Sequence, residues 1–181
     1  MALVELPSVS ITGTGLFTPP ESVSNAELVA SLTEGVLKWN AEHAEEIAAG
    51  EVAERAVPDE EFIVKASGIE RRYVMEKSGV LDPARMRPRL ETRGEDQLGI
   101  QAEMSMPAIH EALAQAGREP GEVDAVIVGC SNLQRAYPAV AIEIQDALGA
   151  QGWGYDMNVA CSSATFSVQA AVDALRNGSA N

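Results

Sequence analysis

The second half of the chain alternates between two apolar spacings. "DAVIVGC", residues 124–130, is a continuous apolar run, which predicts a strand covered on both faces in a parallel sheet. "PAVAIEIQDALGA" shifts to helical spacing, and "WGYDMNVA" returns to a strand pattern. A cleaner helix follows, with Ala164, Val168, Ala171, Val172 and Leu175 on one apolar face, Arg176 in the last turn and Gly178 as the stop. Upstream, "SVSITGTGLFTPP" predicts a short strand that glycines and prolines end. "SNAELVASLTEGVLKW" predicts a helix opened by a capping box of Ser24 and Glu27, with Leu28, Leu32, Val36 and Trp39 at helical intervals.

Between these regular segments the pattern weakens. Residues 40–57, "NAEHAEEIAAGEVAERAV", are rich in Ala and Glu with a thin apolar stripe, which predicts an exposed helical insertion. "PDEEFIVKAS" predicts a short helix with acids at its start and Gly68 at its end. Residues 76–94 form an Arg-rich excursion, too broken by proline and glycine to hold a period. A second capping pattern, Thr92 with Glu95, predicts the start of a helix that runs through Leu98, Ala102, Ile109 and Leu113 to Gly117, kinked at Pro107. Alternating strands and helices with buried strands define an α/β layer fold. The chain stops after a helix that should feed another strand, so the pattern reads as interrupted in mid-fold.

Charge narrows the function classes. The net charge of −14 excludes a nucleic-acid footprint over the whole chain. Residues 65–93 nevertheless carry eight of the thirteen basic residues against four acids, a local surplus that suits a compact anionic partner. No apolar run is long enough to span a membrane, and "MALVELPSVS" lacks the features of a signal peptide, so the expected location is cytoplasmic, with Cys130 and Cys161 as reduced thiols.

Cys161 is the candidate nucleophile. It falls where a strand gives way to a helix, and amides and dipole at a helix start favour a thiolate. Ser162, Ser163 and Ala164 are small enough to admit a substrate carbonyl, and the Cys161 N–H is a candidate oxyanion donor. Cys130, at the end of a buried strand, reads as structural. His43 and His110 carry no sign of acting as its base; both read as surface or helix-packing residues. No metal-ligand pattern is apparent.

"DMNVACSSATFSVQAAVDALRNGSA" resembles the nucleophile segment of the β-ketoacyl-acyl carrier protein synthase III family, with Ala-Cys between strand and helix. "ITGTGLFTPPESVSN", "EEFIVKASGIERRYV" and "AYPAVAIEIQDALG" match further family segments in the same order. The resemblance implies a thiolase-like fold in which residues 1–181 are the first half of a five-layer αβαβα architecture. The absent C-terminal half would carry the family's catalytic histidine and asparagine. It implies an acyltransferase of fatty acid synthesis: Cys161 takes an acyl group from a thioester, malonyl-acyl carrier protein is decarboxylated, and the carbanion attacks the acyl-cysteine to give a β-ketoacyl thioester. The fragment alone would be inactive.

Three more positions carry over. Tyr137 matches an aromatic that crosses the dimer interface into the partner's acyl pocket, Arg72 matches an arginine near the pantetheine entrance, and Phe62 stands where many members stack a tryptophan on the adenine of coenzyme A. The implied partners are acyl carrier protein, acyl-CoA or another acyl thioester, a second copy in a homodimer, and the C-terminal half; nucleic acid and membrane are not expected, nor a cofactor beyond the substrate's phosphopantetheine. Phe62 and Ala66, where a basic side chain is common, weaken the nucleotide grip and point to a longer acyl group or delivery by carrier protein. Other readings fit the same residues: a condensing enzyme of secondary metabolism or acyl-chain joining, a catalytically silent dimerisation or carrier-docking half, and a redox-sensing thiol.

Overall fold

The computed structural model describes residues 7–94 and 96–181, in two compact units: residues 18–92, and the N-terminal segment up to Phe17 together with residues 93–181. No helix among the described residues is long and apolar enough to cross a membrane.

The smaller unit is built on α1 (Asn25–Glu42) and a two-stranded antiparallel sheet of β1 (Glu21–Ser24) and β2 (Arg71–Val74). The predicted capping box opens α1: Ser24 Oγ accepts from the Glu27 amide at 3.2 Å, and the Glu27 carboxylate accepts from the Ser24 amide at 3.0 Å. Residues 40–57 hold the end of α1 and the short, exposed α2 (Ala44–Ala48). Arg55 lies 3.7 Å from the Trp39 ring centroid, on which His43 also stacks. Then α3 (Glu60–Ser67) is capped by Asp59 and, at the predicted place, ends at left-handed Gly68.

The Arg-rich excursion is irregular apart from α4 (Lys77–Val80), but it is organised. Glu76 accepts from the amides of Gly79 and Arg89 and from the Ser78 hydroxyl, folding the loop around one carboxylate. Those bonds, led by the Arg89 amide, hold the Glu76 pKa at about 2, down from 4.5. Glu27, bonded first of all by Lys77, is likewise lowered to about 2.

The larger unit carries α5 (Ile100–Ala116), β3 (Ala125–Gly129), α6 (Val140–Leu148), β4 (Trp153–Met157) and α7 (Ser163–Asn177). β3 and β4 pair in parallel with Gly129 opposite Met157. The core lies between α5 and α6, where Ala102, Val140 and Ile144 are fully buried and Leu98, Met106, Val126 and Val128 pack around them. α6 has no capping side chain of its own. Its first two amides, Val140 and Ala141, donate instead to the two carboxylate oxygens of Asp156 on β4, both at 2.8 Å.

Four expectations are corrected. The opening strand does not form: Thr14 and Leu16 donate their amides to the Gln115 and Glu111 side chains of α5. Glycines permit that approach, since a Cβ on Gly15 would lie 1.9 Å from the Ala108 carbonyl oxygen. The second capping pair does not start α5, which begins at Ile100 with Gly99 before it; Glu95 lies outside the described residues. β3 meets the α6 core through Val126 and Val128 and α7 at Gly129, but it is half-buried rather than fully buried, with β4 as its strand partner among the described residues. Finally, α7 does not bury the predicted face. Ser163 and Ala174 are buried while Val168 is 54% exposed, because α7 crosses so close to β3 that a Cβ on Gly129 would lie 2.6 Å from Ser167 Oγ. Only small side chains fit there.

Two outcomes follow. Both Glu27 and Glu76 have folded-state pKa values below their unfolded value of 4.5, so the stability they give is present above pH 4.5 and lost as pH falls towards 2. Urea midpoints measured across that window should fall less steeply in E27Q and E76Q than in the unsubstituted protein. Added salt should shrink the difference, because both carboxylates are reached by solvent. Second, D156A should lose about 2 kcal/mol of stability in urea titration and D156N roughly half of that, since the amide keeps one acceptor.

Candidate active site

Parallel pairing puts the C-terminal ends of β3 and β4 at one sheet edge, where open α/β sheets present their ligand-binding loops. The loop after β3 carries Cys130 and Tyr137, and the turn after β4 carries Cys161. The Cys130 amide donates to the Met157 carbonyl at 3.0 Å, tying the two loops together at their bases.

The turn from β4 into α7 is short and strained. Ala160 adopts φ 47, a left-handed conformation that costs a residue with a Cβ about 1–2 kcal/mol. Hydrogen bonds on both sides hold it. The Ala160 amide donates to Asn158 Oδ1 at 3.2 Å, and the Ser162 amide to the Val159 carbonyl at 3.0 Å. Ser163, 3% exposed, accepts from the Val159 amide at 2.9 Å and donates its hydroxyl to the Ala160 carbonyl at 2.8 Å. Ser163 therefore knits the turn from inside rather than leaving space for a substrate, which corrects one expectation drawn from its size.

Cys161 follows Ala160 and is exposed; α7 starts two residues later, at Ser163. The backbones of Val159 and Cys161 form an isolated bridge across the strained residue. Cys130 is half-buried, and its sulfur accepts from Gln101 Nε2 and the Asn132 amide, each at 3.4 Å, which agrees with a structural role. His110 is exposed on α5, and His43 Nδ1 lies 2.9 Å from the Trp39 carbonyl oxygen, so neither shows the setting of a general base.

Tyr137 is 89% exposed on the loop before α6, with Arg135 of the same loop paired to Glu143 at 2.7 Å. Phe62 and Arg72 belong to the smaller unit. Phe62 is 67% exposed on α3. Arg72 Nη1 donates to Asn25 Oδ1 at 2.6 Å, and Asn25, 5% exposed, donates in turn to the Ile69 carbonyl at 2.7 Å; Arg72 thus ties β2 to the start of α1.

Sequence reasoning missed Asp156, Asn158 and the knitting role of Ser163. Asp156 left a signal: a carboxylate within the half-buried strand "WGYDM" needs donors, and a helix N-terminus supplies them. The other two left none, because serine and asparagine bond backbone in turns of many shapes and the groups they meet here carry no side-chain signature.

This α/β framework, with a cysteine on the strand-to-helix turn, has the thiolase-like fold. The 3-oxoacyl-[acyl-carrier-protein] synthase III from Aquifex aeolicus matches it with a TM-score of 0.62 and 21% identity, over 94% of this chain and 41% of that one. No protein-family model matches the sequence. A β-ketodecanoyl-[acyl-carrier-protein] synthase from Pseudomonas aeruginosa is 57% identical over 145 residues, 80% of this chain and 41% of that protein. The β-ketoacyl-[acyl-carrier-protein] synthase III of Granulibacter bethesdensis is 31% identical over 171 residues, 94% of this chain and 39% of that protein. The chain belongs to the β-ketoacyl-[acyl-carrier-protein] synthase III family and corresponds to the N-terminal part of its members. It spans about two fifths of the length of these curated relatives.

Exposure separates the two thiols. Iodoacetamide should alkylate Cys161 at least about tenfold faster than Cys130, read by peptide mass after timed quenching. Equal rates would remove the distinction.

Proposed function

We propose that this segment supplies the nucleophile of a decarboxylating condensing enzyme of fatty acid synthesis, active together with the rest of the protein. The observation that carries the reading is the exposed Cys161 thiol on the strand-to-helix turn, just ahead of α7. The thiolate attacks an acyl thioester carbonyl, a new C–S bond forms, and the carrier thiol leaves with a proton. The Cys161 N–H donates to the oxyanion. A malonyl thioester on acyl carrier protein then loses carbon dioxide, and its carbanion attacks the acyl-cysteine, freeing the thiolate and leaving a β-ketoacyl thioester two carbons longer. Tyr137 belongs to the acyl pocket of a homodimer, its 89% exposure fitting a side chain that reaches a second subunit. The general acid–base groups come from the C-terminal part.

Chain length follows from the 57% identical relative, whose name gives a ten-carbon product. Removing the two malonyl carbons leaves an eight-carbon acyl group as the primer. Phe62 stacks on the adenine when coenzyme A delivers it, and Lys65, three residues on in the last turn of α3, offers the cation that Ala66 lacks.

Incubating the natural protein with octanoyl-CoA should leave an octanoyl mass adduct on the Cys161 peptide, absent in C161A and about tenfold slower to form with acetyl-CoA. An adduct with no thioester, or one on Cys130, would overturn the reading.

A further inference from the structure

We propose that Ser163 is a positioning residue for the oxyanion amide of Cys161; this rests on the acyl-transfer reading above. One peptide unit links the two residues. The carbonyl of Ala160 and the N–H of Cys161 belong to the same planar trans amide, so they point in opposite directions and fixing one fixes the other. Ser163 fixes the carbonyl: its hydroxyl donates to the Ala160 oxygen at 2.8 Å, and its own amide donates to the same oxygen at 3.2 Å. The second lone-pair direction of the hydroxyl is used as well, by the Val159 amide at 2.9 Å, so the group cannot rotate away without breaking both bonds.

This is not the usual role of a serine at a helix start. A capping hydroxyl accepts from amides of its own helix, whereas Ser163 bonds upstream, across the strained residue, and the residue at the N-cap position, Ser162, makes no capping bond at all. At 3% exposure Ser163 touches neither solvent nor substrate. Ala160 at φ 47 has other backbone conformations open to it, and a flip of its following peptide would turn the Cys161 N–H away from the thioester. The hydroxyl of Ser163 closes that route. Thiol reactivity and oxyanion stabilisation thereby come under separate control, the first belonging to the sulfur and the second to a buried side chain two residues on.

The separation supplies the test. Acylation of Cys161 by octanoyl-CoA passes through an oxyanion; alkylation by iodoacetamide is a displacement at carbon and forms none. In the natural protein, S163A should slow acylation by about 10- to 100-fold while alkylation stays within about twofold. S163T, which keeps the hydroxyl, should restore acylation to within about threefold of the unsubstituted protein. Should S163A fail to fold, it is made in the A160G background, where the left-handed backbone is unstrained, and the same two rates are compared with A160G alone. Equal slowing of both reactions, or no slowing of acylation, would overturn the proposal while leaving acyl transfer intact. Absence of any acylation in the unsubstituted protein would overturn the acyl-transfer reading and this proposal with it.

Discussion

The carboxylate of Asp156 holds the larger unit together at its functional end. It sits in a half-buried strand, where an unpaired charge would be costly, and the first two amides of α6 meet its two oxygens. The pair serves both elements: the strand keeps its charge solvated by protein donors, and the helix gains the cap that Ala139 cannot provide. Because α6 is also the helix that packs Val140 and Ile144 against Ala102 of α5, the bond connects the apolar core to the strand that ends at the candidate nucleophile. The loop with Tyr137 leads directly into α6, so its exit is set by the same contact.

From that anchored strand the chain turns by backbone and small side chains alone. Asn158 and Ser163 bracket Ala160, and the hydrogen bonds they make are worth roughly 1 kcal/mol each, enough together to offset a left-handed residue. The packing of α7 belongs to the same scheme. Gly129 removes the side chain that would hold the helix off the sheet, and serines and alanines fill the narrow space, so the helix that begins just after Cys161 lies close against β3. Small residues here set distance, not flexibility.

Elements whose signals are local were legible in the sequence. The capping box of α1, the glycine stops of α3 and α7 and the period of α6 each concern residues within one or two turns, and each formed where the pattern put it. The misses share a different cause. The segment at Thr14 and Leu16 is held by side chains about a hundred positions away, and no strand pattern announces a partner of that kind. The Thr92–Glu95 spacing is a capping pattern in form, yet α5 begins at Ile100, where the Glu143 carboxylate accepts from the Gly99 amide in competition with any local cap. For α7 the error came from treating the apolar stripe as the packed face, when a glycine on the facing strand made small residues the better fit. The position of Cys161 was legible because a strand and a helix meet there; the bonds that shape its turn were not.

The basic stretch shows how composition overstates a field. Lys77 and Arg93 are answered by carboxylates from outside residues 65–93, Glu27 and Glu103, and Arg89 pairs with Asp82 inside it. Arg85 bonds the carbonyls of Arg87 and Pro88, and Arg72 bonds neutral Asn25, so those two keep their charge while spending their donors on the fold. Lys65, Arg71 and Arg87 form no ion pair among the described residues. A surface of this kind offers an anionic partner a few cations without ion pairs over an internally paired base. Such an arrangement favours steering of the encounter over a tight, desolvated contact, because exposed charges contribute mainly to association rate and their effect is lost in salt.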